Sequence, residues 1–240
     1  MTPAAIKTLC TSLNGGATID DTLLTSLLNI AKAIFEGERD WMMLRKTNTS
    51  LSVSASNTSQ WNTAISLAGI TDFSRFYGEY PIRIFDGSNC IEYYRQVPFS
   101  KRLEYKDANN TFCHDPINKR IYLNGNVVLS GTLYINYIHT ATEISDITSV
   151  VDMETSGEFP FPVRFHPILG FYAVGLNKGA IDYDSINREM IPANQNALVG
   201  IKNSMEKWDT QLQIDEVSMT DPTGNDMGIY RSGSINIQLQ

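Results

Sequence analysis

The sequence predicts an α+β fold: a helical bundle formed by N- and C-terminal helices, with an inserted antiparallel β-rich domain and an extended C-terminal arm. Three observations predict it. Apolar residues recur at helical spacing on both sides of the insertion, at Leu24, Leu27, Leu28, Ala31, Ile34 and Phe35 and again at Phe165, Ile168, Leu169, Tyr172 and Leu176. Between residues 47 and 140 the pattern changes to alternation, punctuated by Asp86-Gly87 and Asn124-Gly125, dipeptides favoured in hairpins. Beyond Asp215 the chain is polar and carries Pro and Gly until Ser234–Gln240, where Ile235, Ile237 and Leu239 alternate with polar residues, a strand that either returns to the chain's own sheet or adds to the edge of another subunit's. The segments are therefore 1–46 (helices), 47–140 (β insertion), 141–160 (connector), 161–214 (helices) and 215–240 (arm).

Each element has a local reason. Ile6, Leu9 and Leu13 give a short first helix, broken at Asn14-Gly15-Gly16. Thr18, Asp20 and Asp21 offer caps for the second, which ends near Gly37. Trp41 and Leu44 follow as apolar residues that tuck the chain back onto the helix pair, Trp41 as a core aromatic. In the insertion, Tyr80–Phe85 and Ile91–Arg95 alternate around Asp86-Gly87, and Arg120–Leu123 and Asn126–Leu129 flank Asn124-Gly125. Gly131–His139 is the strongest strand, with Leu133, Ile135 and Tyr137 on one face. About six such strands suffice for a small sandwich or barrel.

An acidic, Ser/Thr-rich connector then delivers the chain to a helix over Phe161–Ala180, with Pro162 in its first turn. Gly170, Gly175 and Gly179 lie beside its apolar stripe. Glycine costs a helix roughly 1 kcal/mol against alanine, so these positions predict either the close approach of another element, a neighbouring subunit included, or a merely weak helix. A last helix runs over Ser185–Leu212, interrupted at Pro192. Ala197, Ile201, Met205, Trp208 and Leu212 recur on it at intervals of four and three, a seam for another helix.

Composition narrows the function. Charged residues make up 19% of the chain, below the usual quarter, which favours a surface covered by something else. The formal charge of −7 argues against general binding to nucleic-acid phosphates, which takes Lys and Arg. The first residues do not read as a signal peptide, and Cys10, Cys90 and Cys113 form no C-x-x-C pair, so they are expected to be reduced thiols. No apolar run reaches the ~18 residues of a membrane span.

Motifs for chemistry are missing: there is no Gly-x-Ser-x-Gly, no Walker A loop and no G-x-G-x-x-G, and no cofactor is implied. Cys113-His114-Asp115 is the nearest thing to a metal or nucleophile cluster, but adjacent residues of a strand point to opposite faces and no second ligand pair stands at zinc spacing. His139 and His166 are the other histidines. Glu36, Glu38 and Asp40, close to Trp41 as a sugar platform, sketch a cell-wall hydrolase. Tyr77, Tyr80, Tyr93, Tyr94, Tyr105, Tyr122, Tyr134 and Tyr137 in the β block sketch a glycan-binding module.

The order of features resembles the head-to-tail connector adaptors of short-tailed phages. The matching stretches are ERDWMML (Glu38–Leu44), SLAGITDF (Ser66–Phe73), GTLYINYIH (Gly131–His139), FPFPVRFHPILGFYAVGLNKGAIDYD (Phe159–Asp184), and the helix carrying Met205 and Trp208. The resemblance implies a structural virion protein at the head–tail junction, assembled in the host cytoplasm. It would form a dodecameric ring around a DNA channel, with DNA as passing cargo and no membrane, metal, cofactor or catalytic residue. The arm, with Ile229, Tyr230, Ile235, Ile237 and Leu239, would dock on the portal protein, and the other face would receive a tail or nozzle protein. Trp41, Leu44, Phe165, Leu169, Gly170, Tyr172, Gly175 and Trp208 would serve packing within and between subunits. Like charge on the channel wall would keep DNA from sticking.

Overall fold

In the computed structural model the described residues are 1–55, 61, 64–124 and 129–218. Gly125 and the strand residues expected at 126–128 lie outside them, as does the arm with Ile229, Tyr230, Ile235, Ile237 and Leu239. The fold is α+β. N-terminal helices pack with C-terminal helices, and a mixed β-sheet, nearly closed into a barrel, is inserted between them. The chain divides into two compact units, one made of Met1–Leu44 and Thr140–Gln213, the other built on Arg45–His139.

In the helical unit, α1 (Pro3–Leu13) starts with Pro3 in its first turn and Thr2 accepting from the Ala5 amide. The second helix, α2 (Asp21–Gly37), is capped by Asp20, whose carboxylate accepts from the amides of Thr22 and Leu23. After the insertion come a short helix α3 (Met153–Ser156), stopped by Gly157 in the left-handed region, then α4 (Pro167–Asn177), α5 (Tyr183–Glu189) and α6 (Pro192–Ser218). The helix expected from Phe161 divides in two. Pro162 precedes a 3-10 turn over Val163–Phe165, and the α-helix proper begins at Pro167, whose missing N–H costs nothing there.

The apolar stripe of α4 is a whole cylinder: every residue from Ile168 to Gly175 is buried. Its glycines explain how. A Cβ on Gly170 would meet Leu9 Cδ2 at 3.0 Å, and one on Gly175 would meet Ile186 at 2.8–3.1 Å. So α1 and α5 of the same chain occupy the faces expected to receive a neighbouring subunit, while α2 packs against the helix as well. Around α4 lies an aromatic cluster: Phe35 stacks on Trp41 at 4.6 Å, and Phe159, Phe161 and Tyr172 surround the pair at 5.5–6.3 Å from Phe35. Trp41, Leu44, Leu169 and Tyr172 are fully buried.

The β unit comprises β1 (Arg45–Val53), β2 (Ile65–Ser66), β3 (Phe73–Phe76), β4 (Ile82–Asp86), β5 (Asn89–Val97), β6 (Thr111–Asp115), β7 (Arg120–Asn124) and β8 (Gly131–His139). They run in the order β1-β8-β4-β5-β6-β7-β2, with β3 also on β8. The hairpin expected at Asp86-Gly87 joins β4 to β5, with Gly87 at φ 58. The described pairings are antiparallel except β5 with β6. The cause is the long connection from Pro98 to Asn110, which carries a 3-10 turn and returns the chain to the end from which β5 began. The first and last strands are partners, Arg45 opposite Ile138 and Val53 opposite Gly131. Inside, Ile82, Ile84, Phe112, Ile121, Leu123, Leu133 and Ile135 form the core.

Three glycine substitutions should separate in urea unfolding. Gly131→Ala would put a Cβ 2.5 Å from the Phe85 carbonyl oxygen and force strands apart, so it should destabilise most. Gly175→Ala must push the Ile186 side chain from its base and should cost about 1–3 kcal/mol. Gly170→Ala meets the Leu9 side chain at 3.0–3.4 Å and Cys10 Sγ at an ordinary 3.6 Å, and it gains ~1 kcal/mol of helix propensity, so it should be near neutral.

Candidate functional site

The described residues bring functional side chains together mainly around α6. Its buried line is Leu198, Met205 and Asp209, which shares Met205 with the expected seam but leaves Ile201, Trp208 and Leu212 half-buried and Ala197 exposed. Asp209 causes the difference. Its carboxylate is fully buried, pairs with the Arg39 guanidinium at 3.0 Å, and accepts from the Met42 amide at 2.7 Å and Gln213 at 2.9 Å. Drawing Asp209 inward rotates the helix, and Ala197 is left exposed with Ile201 half-buried. Trp208 stays half-buried, its ring 5.4 Å from that of Phe165.

Two grooves flank this helix. The first, about 770 Å³, is lined by Arg164, Phe165, Ala197, Gly200, Ile201, Ser204 and Lys207. Its floor is apolar and its rim cationic, with the Arg164 guanidinium 4.7 Å over the Phe165 ring. The second, about 470 Å³, is lined by Ile34, Glu38, Arg39, Ile181, Asp182, Tyr183, Asp184, Lys202 and Glu206. Here Glu38 accepts from the Tyr172 hydroxyl at 2.6 Å and pairs with Lys202 at 2.9 Å, while the Lys202 ammonium sits 3.5 Å over Tyr183. Burial, together with the carboxylates of Glu38, Glu206 and Asp184, holds the Tyr183 hydroxyl above its ordinary pKa.

The hydrolase sketch loses its platform. Trp41 is fully buried against Phe35, its indole N–H donating to the Phe35 carbonyl, and Glu36 is buried as well. Of the eight tyrosines, Tyr94 and Tyr137 are core residues, whereas Tyr93 is half exposed and meets Tyr80 edge to face at 4.8 Å. Cys113-His114-Asp115 does not converge. Burial pushes the Cys113 thiol up to about 11, His114 packs edge-on against Phe73 and Phe76, and Asp115 caps the turn at Ile117 and Asn118.

Sequence reasoning missed two buried polar groupings. The Lys32 ammonium is buried and donates to the carbonyls of Ala141 and Thr142, its pKa lowered by burial against the pull of Glu36, Glu143 and Glu158. Asp152, Glu154 and His166 stand at metal-ligand spacing, within 4.8 Å of one another. His166 Nε2 donates to the Phe161 carbonyl at 2.6 Å, which leaves Nδ1 to accept from the Met1 ammonium at 3.0 Å; that ammonium also pairs with Asp152. No periodicity marks such groups, because loops bring them together. No protein-family model and no curated protein matches the chain.

Asp209→Ala removes the buried carboxylate that the Met42 amide and the Arg39 guanidinium share and should cost about 3 kcal/mol in chemical denaturation. Acid should weaken both units. Burial lowers the pKa of His114 and of His166 from the ordinary 6.5, with Asp115 opposing in the first and the Phe161 carbonyl in the second. Unfolded chains then bind more protons than folded ones, so stability present at neutral pH declines as pH falls below about 6.5. Denaturation midpoints at pH 7 and pH 5.5 check this, and His166→Gln should flatten the slope.

Proposed function

We propose that this chain is a structural virion subunit, a ring-forming adaptor that joins the portal to the tail of a short-tailed phage and lines the DNA channel. One observation carries the reading: the helical unit, although its core is closed, turns large apolar side chains outward. Ile181 is 79% exposed, Ile191 63% and Val163 49%, and the groove beside α6 has an apolar floor. A unit that hides its own stripes and still presents this surface is suited to repeated contacts with other chains. The acidic balance suits a wall past which DNA slides. The role of the arm from Met219 to Gln240 rests on its sequence alone.

Native mass measurement with and without the cognate portal ring tests the reading. The full chain is expected to assemble and to join the portal, whereas a chain lacking Met219–Gln240 should remain folded and fail to join it. A full-length protein that stays monomeric and ignores the portal would overturn the proposal.

A further inference from the structure

We infer that the two flanks of α6 are the two halves of one heterologous contact, through which each copy of the chain docks head to tail on the next. This rests on the ring reading above and supplies its interface. The first flank is a hole. Phe165, Ala197 and Ile201 floor it, and Arg164 and Lys207 rim it. Among the described residues, neither cation has a carboxylate partner; Arg164 rests only on the Phe165 ring.

The other flank is a knob. Ile181 stands 79% exposed just ahead of α5, and the Asp184 and Glu206 carboxylates beside it have no cationic partner among the described residues. The remaining charges there balance: Lys202 pairs with Glu38, Arg39 with Asp209, and the Arg188 guanidinium offsets the Asp182 carboxylate on which it acts. The unspent charge of this flank is negative, and that of the hole is positive.

Helix geometry keeps the halves apart. Successive residues turn by about 100°, so Gly200, Ser204 and Lys207 face one side of α6 while Lys202 and Glu206 face the other. A two-fold contact of hole with hole would oppose cations, and one of knob with knob would oppose carboxylates. Only hole with knob covers Ile181 and neutralises both rims. Such a contact propagates, and it closes into a ring when its rotation permits.

Two variants carry the test, each altering mainly exposed positions so that far-UV circular dichroism should be unchanged. Arg164→Glu with Lys207→Glu disables the hole, and Ile181→Lys with Glu206→Lys disables the knob. In sedimentation across a concentration series, the wild type should form species larger than a dimer. Each variant alone should self-associate about tenfold more weakly or worse. Mixed one to one, they should associate again into a heterodimer or a longer chain, because one unaltered hole and one unaltered knob remain and the two altered rims are themselves opposite in charge. Folded variants that assemble like the wild type, a mixture that does not associate, or a wild type that stops at a symmetric dimer would overturn the contact while leaving ring assembly through other surfaces. A wild type that stays monomeric throughout would overturn the contact and the ring together.

Discussion

The helical unit depends on the aromatic cluster of Phe35, Trp41, Phe159, Phe161 and Tyr172. Two of its members precede the insertion and three follow it. It therefore welds together two stretches of chain that roughly a hundred residues separate. The length-dependent cost of closing such a loop is about 4 kcal/mol. A single large aromatic side chain, burying on the order of 200 Å², returns a comparable amount at about 25 cal/mol per Å². Five rings gathered around Phe35 exceed the cost. Everything else in the unit uses the frame they set: α4 runs through its middle, and the chain beyond α4 is placed by it.

Polar anchors then fix what apolar packing leaves loose. Lys32 holds the returning chain at Ala141 and Thr142, and Asp209 sets the rotation of α6 through Arg39 and Met42. Burying a charge is costly unless it is paired, so each anchor permits one geometry and penalises its neighbours. That selectivity places Ala197, Ile201 and Phe165 around an open groove instead of a closed seam.

Much of the fold was legible because it depends on local chemistry. Asp20 caps α2 as its side chain suggests, Asp86-Gly87 turns the β4–β5 hairpin, and Gly131–His139 is the strand at the centre of the β unit's pairing. The failures have one source. Whether a periodic residue faces the core depends on contacts that come from elsewhere in the chain. The alternation of α4 between stripe and glycines hid a helix buried on every side from Ile168 to Gly175, because α1 and α5 take the glycine faces. The seam on α6 was misplaced because one buried aspartate outweighs several weak apolar contacts. The parallel pairing of β5 with β6 follows from an irregular connection without alternation. For the same reason the grooves, and the grouping of Asp152, Glu154 and His166, had no signature in spacing.

The partnership of Arg45 with Ile138 has an evolutionary consequence. The insertion leaves the helical unit and rejoins it at neighbouring positions, so the bundle meets it as it would meet a tight loop. Such a junction lets a lineage lengthen, shorten or replace the whole β unit without redesigning the helices. The bundle can stay constant while the insertion diverges, each on its own evolutionary clock.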